Sequence, residues 1–191
     1  MQENRECVEV QVDMIFSRKW GMPNSNTFSI KPIGEFVCKY LHGVSVDPFS
    51  RNSTLATYTN DMNPDTTSQH HMDAVDFIEM LENQGIKADI VIFDPPYSPR
   101  QISECYAAAG KKAGMIDTQN ARLYKRCRDA IRKICKPGTI VLSFGWNSCG
   151  MGNGFNLEEI MLVAHGGAHN DTICMAERFV EVPACVSSKT S

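Results

Sequence analysis

The stretch from residue 90 to 97 sets the tightest limit on how this chain folds. Residues 90–93 are apolar and mostly β-branched, which is typical of a buried strand. The next four residues are Asp94, Pro95, Pro96 and Tyr97. Because prolines cannot donate to a sheet ladder, both must lie beyond the strand end. The pattern predicts a stiff turn at the carboxyl end of a buried strand, the edge where open α/β sheets bind ligands.

The groups on this turn are hydrogen-bond acceptors and a flat ring. Asp94 can accept one hydrogen of an exocyclic amino group, the carbonyl of Pro95 can accept the other, and Tyr97 can stack on a heterocycle. An aromatic amine is a poor nucleophile because its lone pair is delocalised, and two acceptors favour the positive charge that develops on attack. The alternative is a strand followed by a proline-rich turn with no chemical role.

The sequence Asp94-Pro95-Pro96-Tyr97 resembles the catalytic tetrapeptide of S-adenosylmethionine-dependent amino-methyltransferases, most of which make N6-methyladenine in DNA. Relatives that methylate cytosine N4 or glutamine N5 usually have Ser or Asn in place of the Asp, so Asp94 favours adenine. The resemblance implies S-adenosylmethionine as cofactor, DNA as partner and residues 94–97 as the catalytic group. The target adenine would be flipped out of a duplex or presented on a single strand.

A second buried-strand pattern, at residues 43–49, ends in Asp47, Pro48 and Phe49. It resembles the first cofactor motif of the family, Asp-Pro-Phe-x-Gly-x-Gly, but residues 50–53 lack both glycines. Glycine allows positive φ and close approach of the backbone to a ligand. Of the replacements, Asn52 tolerates left-handed geometry best. Arg51 is assigned a contact with the cofactor carboxylate.

The resemblance assigns the remaining cofactor contacts to three places along the chain. Asp61 ends a third predicted strand, in residues 55–64, and would bind the ribose hydroxyls, with Met62 on the adenine ring. The other candidates lie at the starts of two predicted helices: Phe28, Ser29, Lys31, Asp73 and Ala74. Three alternatives remain open: Lys31 as a solvated charge, Asp61 as a turn acid and Asp73 as a simple N-cap.

Basic residues are concentrated after the tetrapeptide. Residues 98–136 carry ten basic and three acidic side chains, a net charge of +7 in a chain whose total is −3. For the predicted helix at 122–135 we favour a solvated face. The candidates for contact with substrate phosphates or the target base are Arg100, Lys111, Lys112 and Trp146, together with Tyr97.

The order of predicted elements gives the fold class. Strands and helices alternate from residue 28 to 146, which indicates an α/β fold with a mostly parallel sheet. Two strands after residue 155 form a C-terminal antiparallel hairpin, as in the Rossmann-like class I methyltransferases. We expect residues 1–191 to form one domain with three parts. Residues 1–26 are an N-terminal extension that holds a strand (7–16) and a loop containing Trp20. Residues 27–180 are the catalytic core, and residues 182–191 are a flexible tail. Thr27 or Ser29 caps the first helix, and no separate target-recognition domain is expected.

Composition narrows the class of protein further. The start of the chain lacks the apolar core of a signal peptide and no segment approaches membrane-spanning length, so we expect a soluble cytoplasmic protein of a bacterial or phage-infected cell. The eight cysteines show no metal-ligand spacing, and we expect no metal and mainly reduced core thiols. The compact form resembles phage or prophage members of the family. Alternatives are methylation of RNA adenine or a protein amide, a degenerate fold that binds nucleic acid, and a homodimer or partner subunit that supplies recognition.

Overall fold

A computed structural model describes residues 14–112, 114 and 119–180 of the chain. The strands are β1 (Ile15–Trp20), β2 (Ser45–Asp47), β3 (Tyr58–Thr59), β4 (Ile90–Phe93), β5 (Ile140–Gly145), β6 (Phe155–Ala164) and β7 (Thr172–Phe179). The helices are α1 (Lys31–Tyr40), α2 (Ala74–Asn83), α3 (Pro99–Ala108) and α4 (Asn120–Ile134), and a short 3₁₀ turn spans Thr27–Ser29. The tail at 182–191 lies outside the described residues.

Within the described residues the strands form one seven-stranded sheet in the order β1-β6-β7-β5-β4-β2-β3. The pairs β2–β3, β2–β4, β4–β5 and β1–β6 are parallel, whereas β7 is antiparallel to both β5 and β6. The predicted mostly parallel α/β sheet with a C-terminal antiparallel hairpin is therefore confirmed. The carboxyl ends of β2 and β4 lie side by side at one edge, which brings residues 47 and 94 together.

Apolar side chains fill both faces of the sheet. One cluster joins β4 and β5 to α2 and α4, through side chains such as Phe77, Val91 and Ile131. The other joins the opposite face to α1, whose Ile33 and Val37 follow a helical spacing and are fully buried. Burial of such stripes is the main favourable term in folding. Packing on both faces holds β4 within the sheet, and so sets the position of the tetrapeptide that follows it.

The N-terminal region departs from the sequence prediction in two places. Residues 17–20, expected in a loop, belong to β1, while most of the predicted strand at 7–16 lies outside the described residues. The N-cap of α1 is Ile30, which makes no side-chain cap, because Thr27 and Ser29 belong to the preceding 3₁₀ turn. Pro32 occupies the first turn of α1, as predicted.

Two further expectations need correction. The third predicted strand, at 55–64, shrinks to Tyr58–Thr59 because the chain turns after Asn60, where the Asp61 and Asn63 side chains each accept from the amide two residues on. Asn60 itself still donates its amide to the carbonyl of Asp47 at 2.9 Å, and its buried side chain donates to the carbonyls of Pro48 and Met72 at 3.1 and 3.0 Å. Among the cysteines expected to be core thiols because they lie in apolar sequence patterns (Cys38, Cys127 and Cys174), Cys127 and Cys174 are buried but Cys38 is exposed.

Candidate functional site

The tetrapeptide leaves the sheet where the sequence places it. All four residues of β4 are buried, Asp94 directly follows its last residue, and Pro95 is buried behind it. The hydroxyl of Tyr97 folds back and donates a hydrogen bond to Oδ1 of Asp94. At least one carboxylate oxygen of Asp94 is thus engaged by the protein.

Burial dominates the electrostatics of this turn. It raises the pKa of Asp94 above its usual range, while hydrogen bonds from Tyr97 and Thr27 and the charge of Arg51 pull that pKa back down. Burial, followed by the charge of Asp94, raises the pKa of Tyr97 well above the ordinary tyrosine value. Tyr97 therefore stays protonated and acts as a donor to Asp94.

A capping box holds the turn against α3, and the sequence prediction missed it. Oε1 of Gln101 accepts from the amides of Tyr97 and Ser98, at 2.6 and 3.1 Å. The Ser98 hydroxyl in turn accepts from the Gln101 amide at 3.2 Å. Ser followed three residues later by Gln is the sequence signature of this motif, so the signal was present. The box fixes the backbone of Tyr97 relative to α3.

Asp47 lies one strand away, at the end of β2, and is fully buried. Its Oδ1 accepts from the amide of Phe49 at 3.0 Å, but Oδ2 has no hydrogen-bond partner among the described residues. Burial raises the pKa of Asp47 well above its usual range, and the charges of Asp94 and Asp61 add to the effect. A buried carboxylate oxygen without a partner is unfavourable and fits a site that receives a positively charged donor.

The loop after Phe49 keeps a glycine-like backbone without glycine. Arg51 occupies the position of the first motif glycine and has a φ of 50°, so Arg51, and not Asn52, is the left-handed residue. Its amide donates to Oδ2 of Asp61 at 3.2 Å, and its guanidinium donates to the carbonyl of Ser25 at 2.5 Å. These bonds hold a conformation that side-chain-bearing residues rarely adopt.

Asp61 follows β3 and takes part in a turn as well as facing the site edge. Besides the Arg51 amide, its carboxylate accepts from the amide of Asn63 at 2.8 Å. Met62 is half-buried next to it. The alternative interpretation of Asp61 as a turn acid thus agrees with its hydrogen bond to the Asn63 amide. Each carboxylate oxygen has a second acceptor site, so ribose binding by Asp61 stays a prediction.

The helix-start candidates make local contacts. Asp73 caps α2 by accepting from the Val75 amide at 2.9 Å and lies 3.8 Å from a guanidinium nitrogen of Arg126. The next residue, Ala74, is buried in the core. Lys31 is 87% exposed and pairs with Glu35 four residues on, at 4.0 Å. The capping role of Asp73 is confirmed by geometry, and its cofactor role stays a prediction.

Phe28 and Ser29 lie in the 3₁₀ turn before α1. The ring of Phe28 meets the edge of Phe144, on β5, with centroids 5.4 Å apart. This places the turn above the strand that neighbours β4, and Thr27 of the same turn donates to Asp94. The turn therefore borders the tetrapeptide, and the cofactor contacts assigned to Phe28 and Ser29 stay predictions.

Trp146 joins the tetrapeptide from the end of β5. Its ring meets that of Tyr97 edge to face, with centroids 5.5 Å apart, and 44% of the residue is exposed. A small cavity near the end of β5 is lined in part by Tyr124, Ser143 and Met175. Trp146 therefore lies beside the tetrapeptide, and its contact with a substrate base stays a prediction.

The basic residues divide into two groups. On α4, two lysines form ion pairs: Lys125 with Asp129, and Lys133 with Glu79 and Glu82. Two arginines of the same helix, Arg128 and Arg132, donate to carbonyls of the loop at 147–154. Most of the α4 cations thus serve the fold. The side chain of Arg100 is 88% exposed and pairs with Glu104 at 2.8 Å, while Lys111 and Lys112 are exposed. Contact of these three with phosphates stays a prediction.

Comparison with solved structures shows a similar fold in other proteins. TrmN from Thermus thermophilus superimposes with a TM-score of 0.52 at 14% identity, over 80% of this chain and 50% of that protein. A SAM-dependent methyltransferase from Agrobacterium tumefaciens gives 0.44 at 13% identity, over 77% of this chain and 59% of that one. NSun6 from Pyrococcus horikoshii gives a TM-score of 0.49 at 14% identity, over 73% of this chain and 48% of that protein.

These similarities concern the fold, and the chain spans about half to three-fifths of the length of those three proteins. Searches against family models and curated proteins gave no match. Within the described ranges, no helix combines the length and apolar character needed to cross a bilayer. Those ranges also hold no group of three His, Cys, Asp or Glu side chains placed to bind a metal ion.

Proposed function

We propose that the protein transfers a methyl group from S-adenosylmethionine to the N6 amino group of adenine in DNA. The observation that carries the proposal is the position of Asp94-Pro95-Pro96-Tyr97 at the carboxyl end of β4, beside the unpaired carboxylate oxygen of Asp47. The tetrapeptide after β4 accepts from an amine, and Asp47 at the end of β2 accepts from a cation. The two lie at neighbouring strand ends of a methyltransferase fold.

The tetrapeptide binds and orients the amine. Oδ2 of Asp94 accepts one N6 hydrogen and the carbonyl of Pro95 accepts the other, which directs the nitrogen lone pair away from the adenine ring. Because Oδ1 is engaged by Tyr97, the carboxylate cannot rotate freely to other donors. The acceptors favour the charge that develops on nitrogen, so the catalysis rests on positioning and electrostatics without a covalent enzyme intermediate.

Two aromatic side chains support binding of the base itself. Tyr97 and Trp146 offer ring faces next to the acceptors, and a base must leave its duplex stack to reach them. Arg100, Lys111 and Lys112 are exposed after the tetrapeptide and are suited to the phosphates on either side of the target.

The residues at the β2 end fit the cofactor. S-adenosylmethionine supplies the electrophilic methyl group and carries an ammonium that suits the unpaired Oδ2 of Asp47. Asp61 would accept from the ribose hydroxyls and Arg51 would contact the cofactor carboxylate. The remaining proposed contacts are Phe28, Ser29, Lys31, Phe49, Met62, Asp73 and Ala74.

The experiment that tests the function is incubation with methyl-labelled cofactor and, separately, DNA, RNA and protein, followed by mass spectrometry of the released nucleosides. N6-methyladenosine in its deoxy form supports the proposal. Label found in RNA adenine or in a protein amide would mean that RNA or protein, and not DNA, is the substrate. Absence of methyl transfer together with absence of cofactor binding by calorimetry would indicate a degenerate fold.

A matched pair of variants connects the result to the site. Asp94→Asn retains the shape of the side chain but replaces an acceptor oxygen with a donor, and we expect at least a 100-fold lower rate. Asp65→Asn makes the same chemical change at an exposed position outside the tetrapeptide and should keep the wild-type rate. An Asp94→Asn variant with near wild-type rate would refute the mechanism.

A further inference from the structure

Exposed apolar side chains gather in one place outside the candidate site. Of the six large hydrophobic residues exposed in the described part of the chain, five lie within residues 14–22, and the sixth is Trp146. The five are Met14, Ile15, Phe16, Trp20 and Met22. Phe16 and Trp20 are 62% and 63% exposed. A cluster of this size on a folded surface indicates a binding function.

The strand register shows which side chains share a face. Phe16 stands opposite Ile160 of β6, Arg18 opposite Leu162 and Trp20 opposite Ala164. In the next strand Ile173 stands opposite Leu162. We call Phe16, Arg18, Trp20, Ile160, Leu162 and Ile173 the β1 face; its β6 and β7 members are half-buried. The residues that alternate with them, such as Met161 and Cys174, point into the cluster around α1.

The centre of the β1 face is a cation. Arg18 lies between Phe16 and Trp20, and its cross-strand neighbour is Leu162, so no carboxylate lies opposite it. None of the ion pairs formed among the described residues involves Arg18 or the exposed Lys19. Two aromatic rings, with a guanidinium between them that forms no ion pair within the described residues, match bases and a phosphate, whereas an apolar protein surface would leave the charge unpaired.

The end of β1 is firmly held, so the position of Trp20 is fixed. The amide of Gly21 donates to the carbonyl of Ala164 at 3.1 Å, and Nδ1 of the buried His165 donates to the Gly21 carbonyl at 2.8 Å. A Cβ on Gly21 would come within 2.8 Å of Ile30, so this backbone packs directly against the residue before α1. The aromatic pair therefore stands on an ordered platform.

The β1 face reaches the sheet edge that carries the candidate site. β1 is parallel to β6 and therefore runs in the direction of β5 and β4, which places Trp20 at the same sheet edge as Asp94. Four strand spacings separate them, about 19 Å.

We propose that the β1 face binds single-stranded DNA that flanks the target adenine, with bases stacked on Phe16 and Trp20 and a phosphate on Arg18. The link to a target base rests on the proposed function, whereas the binding itself does not. The two rings are four residues apart on one strand, about 13 Å, so each takes a separate base. Sheet faces with exposed aromatics are a recurring way of binding unpaired bases.

The test uses the two tryptophans of the chain as an internal reporter. In a Trp146→Phe background, Trp20 is the single tryptophan, and titration with an unlabelled single-stranded oligodeoxynucleotide should quench its emission. An oligomer of abasic sites with the same phosphates should bind more weakly and leave the emission unchanged. No cofactor is present, so binding is measured apart from methyl transfer.

Variants measured by fluorescence anisotropy then assign the contacts. Trp20→Ala and Phe16→Ala should each weaken binding of a labelled single strand about tenfold, the loss expected for one stacked base. Arg18→Ala should reduce the slope of log affinity against log salt by about 0.7. Met22→Ala removes an equally exposed apolar side chain that is not aromatic, and its affinity should stay within twofold of wild type.

Two results would overturn the inference. One is oligonucleotide binding that leaves Trp20 emission unchanged. The other is a protein that sediments as a dimer and becomes monomeric in the Phe16→Ala/Trp20→Ala double variant with unchanged oligonucleotide affinity, which would make the β1 face a contact between copies. If methylation fails but Trp20-dependent binding persists, the proposed function is wrong and the β1 face still binds nucleic acid.

Discussion

The hydroxyl of Tyr97 donates a hydrogen bond to the carboxylate of Asp94, three residues earlier in the chain. The bond stabilises the charged form of a carboxyl group whose burial favours the neutral form. The ionised carboxylate accepts from Tyr97 through one oxygen and keeps the other as an acceptor for an amine, so Tyr97 both orients Asp94 and keeps it ionised at lower pH.

Tyr97→Phe should therefore move the acidic limb of the pH–rate profile to higher pH. Methyl transfer falls as the pH drops through the pKa of Asp94, and loss of the Tyr97 hydroxyl raises that pKa further. The ring for stacking is retained, so the rate on the plateau should change less than the position of the limb. The measurement is kcat/KM for methyl transfer across the acidic range.

The control for this prediction is Tyr40→Phe. Tyr40 also donates to a carboxylate, that of Glu159 on β6, at 2.5 Å, but away from the tetrapeptide. Its loss should leave the profile unchanged. An acidic limb at the same pH in Tyr97→Phe and wild type would show that the hydrogen bond does not govern the ionisation of Asp94.

Asp47→Asn should stabilise the protein near neutral pH while weakening cofactor binding. The pKa of Asp47 is higher in the folded than in the unfolded chain, so stability falls as the pH rises above the unfolded value, where only the unfolded chain loses the proton. Asn keeps the acceptor for the Phe49 amide and cannot ionise. The gain in Tm should be larger at neutral than at acidic pH, with at least tenfold weaker S-adenosylhomocysteine binding by calorimetry.

Asp89→Asn is the matched control because the pKa of Asp89 shifts on folding in the direction opposite to that of Asp47. A hydrogen bond from Lys136 and one from the Val44 amide lower the pKa of Asp89 in the folded chain. Its contribution is present at neutral pH and is lost as the pH falls through the folded value. Asp89→Asn should thus lower Tm most at neutral pH. A Tm change of the same sign in both variants would contradict the linkage.

The sequence was sufficient to predict the position of the site but not its internal bonds. The run at 90–93 followed by Asp94 and two prolines predicts a buried strand and its end, because burial and the missing proline amides act locally. The bond from Tyr97 to Asp94, the unpaired Oδ2 of Asp47 and the edge contact of Trp146 depend on side-chain directions that three separate strand ends impose.

Errors arose where tertiary contacts override local preference. Asn52 has the better intrinsic tolerance of positive φ, yet Arg51 adopts it because Asp61 and Ser25 hold its amide and guanidinium. Residues 17–20 contain no strong strand signal, but the edge of β6 supplies a pairing partner over the length of β1. In both cases the deciding partner is distant in sequence.

Arg51→Gly should be more stable than Arg51→Ala. Glycine in place of alanine usually costs about 0.5–1 kcal/mol, but at a φ of 50° the order reverses because Cβ meets the following carbonyl. Neither variant has the guanidinium, so the difference of about 1 kcal/mol in unfolding free energy isolates the backbone. Urea denaturation measures it.

Loss of the guanidinium has a second consequence that the same variants report. The charge of Arg51 lowers the pKa of Asp94, so both variants should shift the acidic limb of methyl transfer to higher pH. Arg51→Lys retains the charge and should show a smaller shift. Equal stability of the glycine and alanine variants would mean that residue 51 is not held at positive φ in solution.

Gln101→Leu should reduce methyl transfer without changing cofactor affinity. Its side-chain oxygen accepts from the amides of Tyr97 and Ser98, and its removal frees the turn from the start of α3. The loss of a capping interaction costs about 1 kcal/mol of stability, and a displaced Tyr97 lowers kcat more than it raises the KM for cofactor. Gln101→Glu keeps an acceptor in the capping box and should recover most of the rate. If leucine and glutamate lower the rate equally, Gln101 acts through something other than the two amides it accepts from.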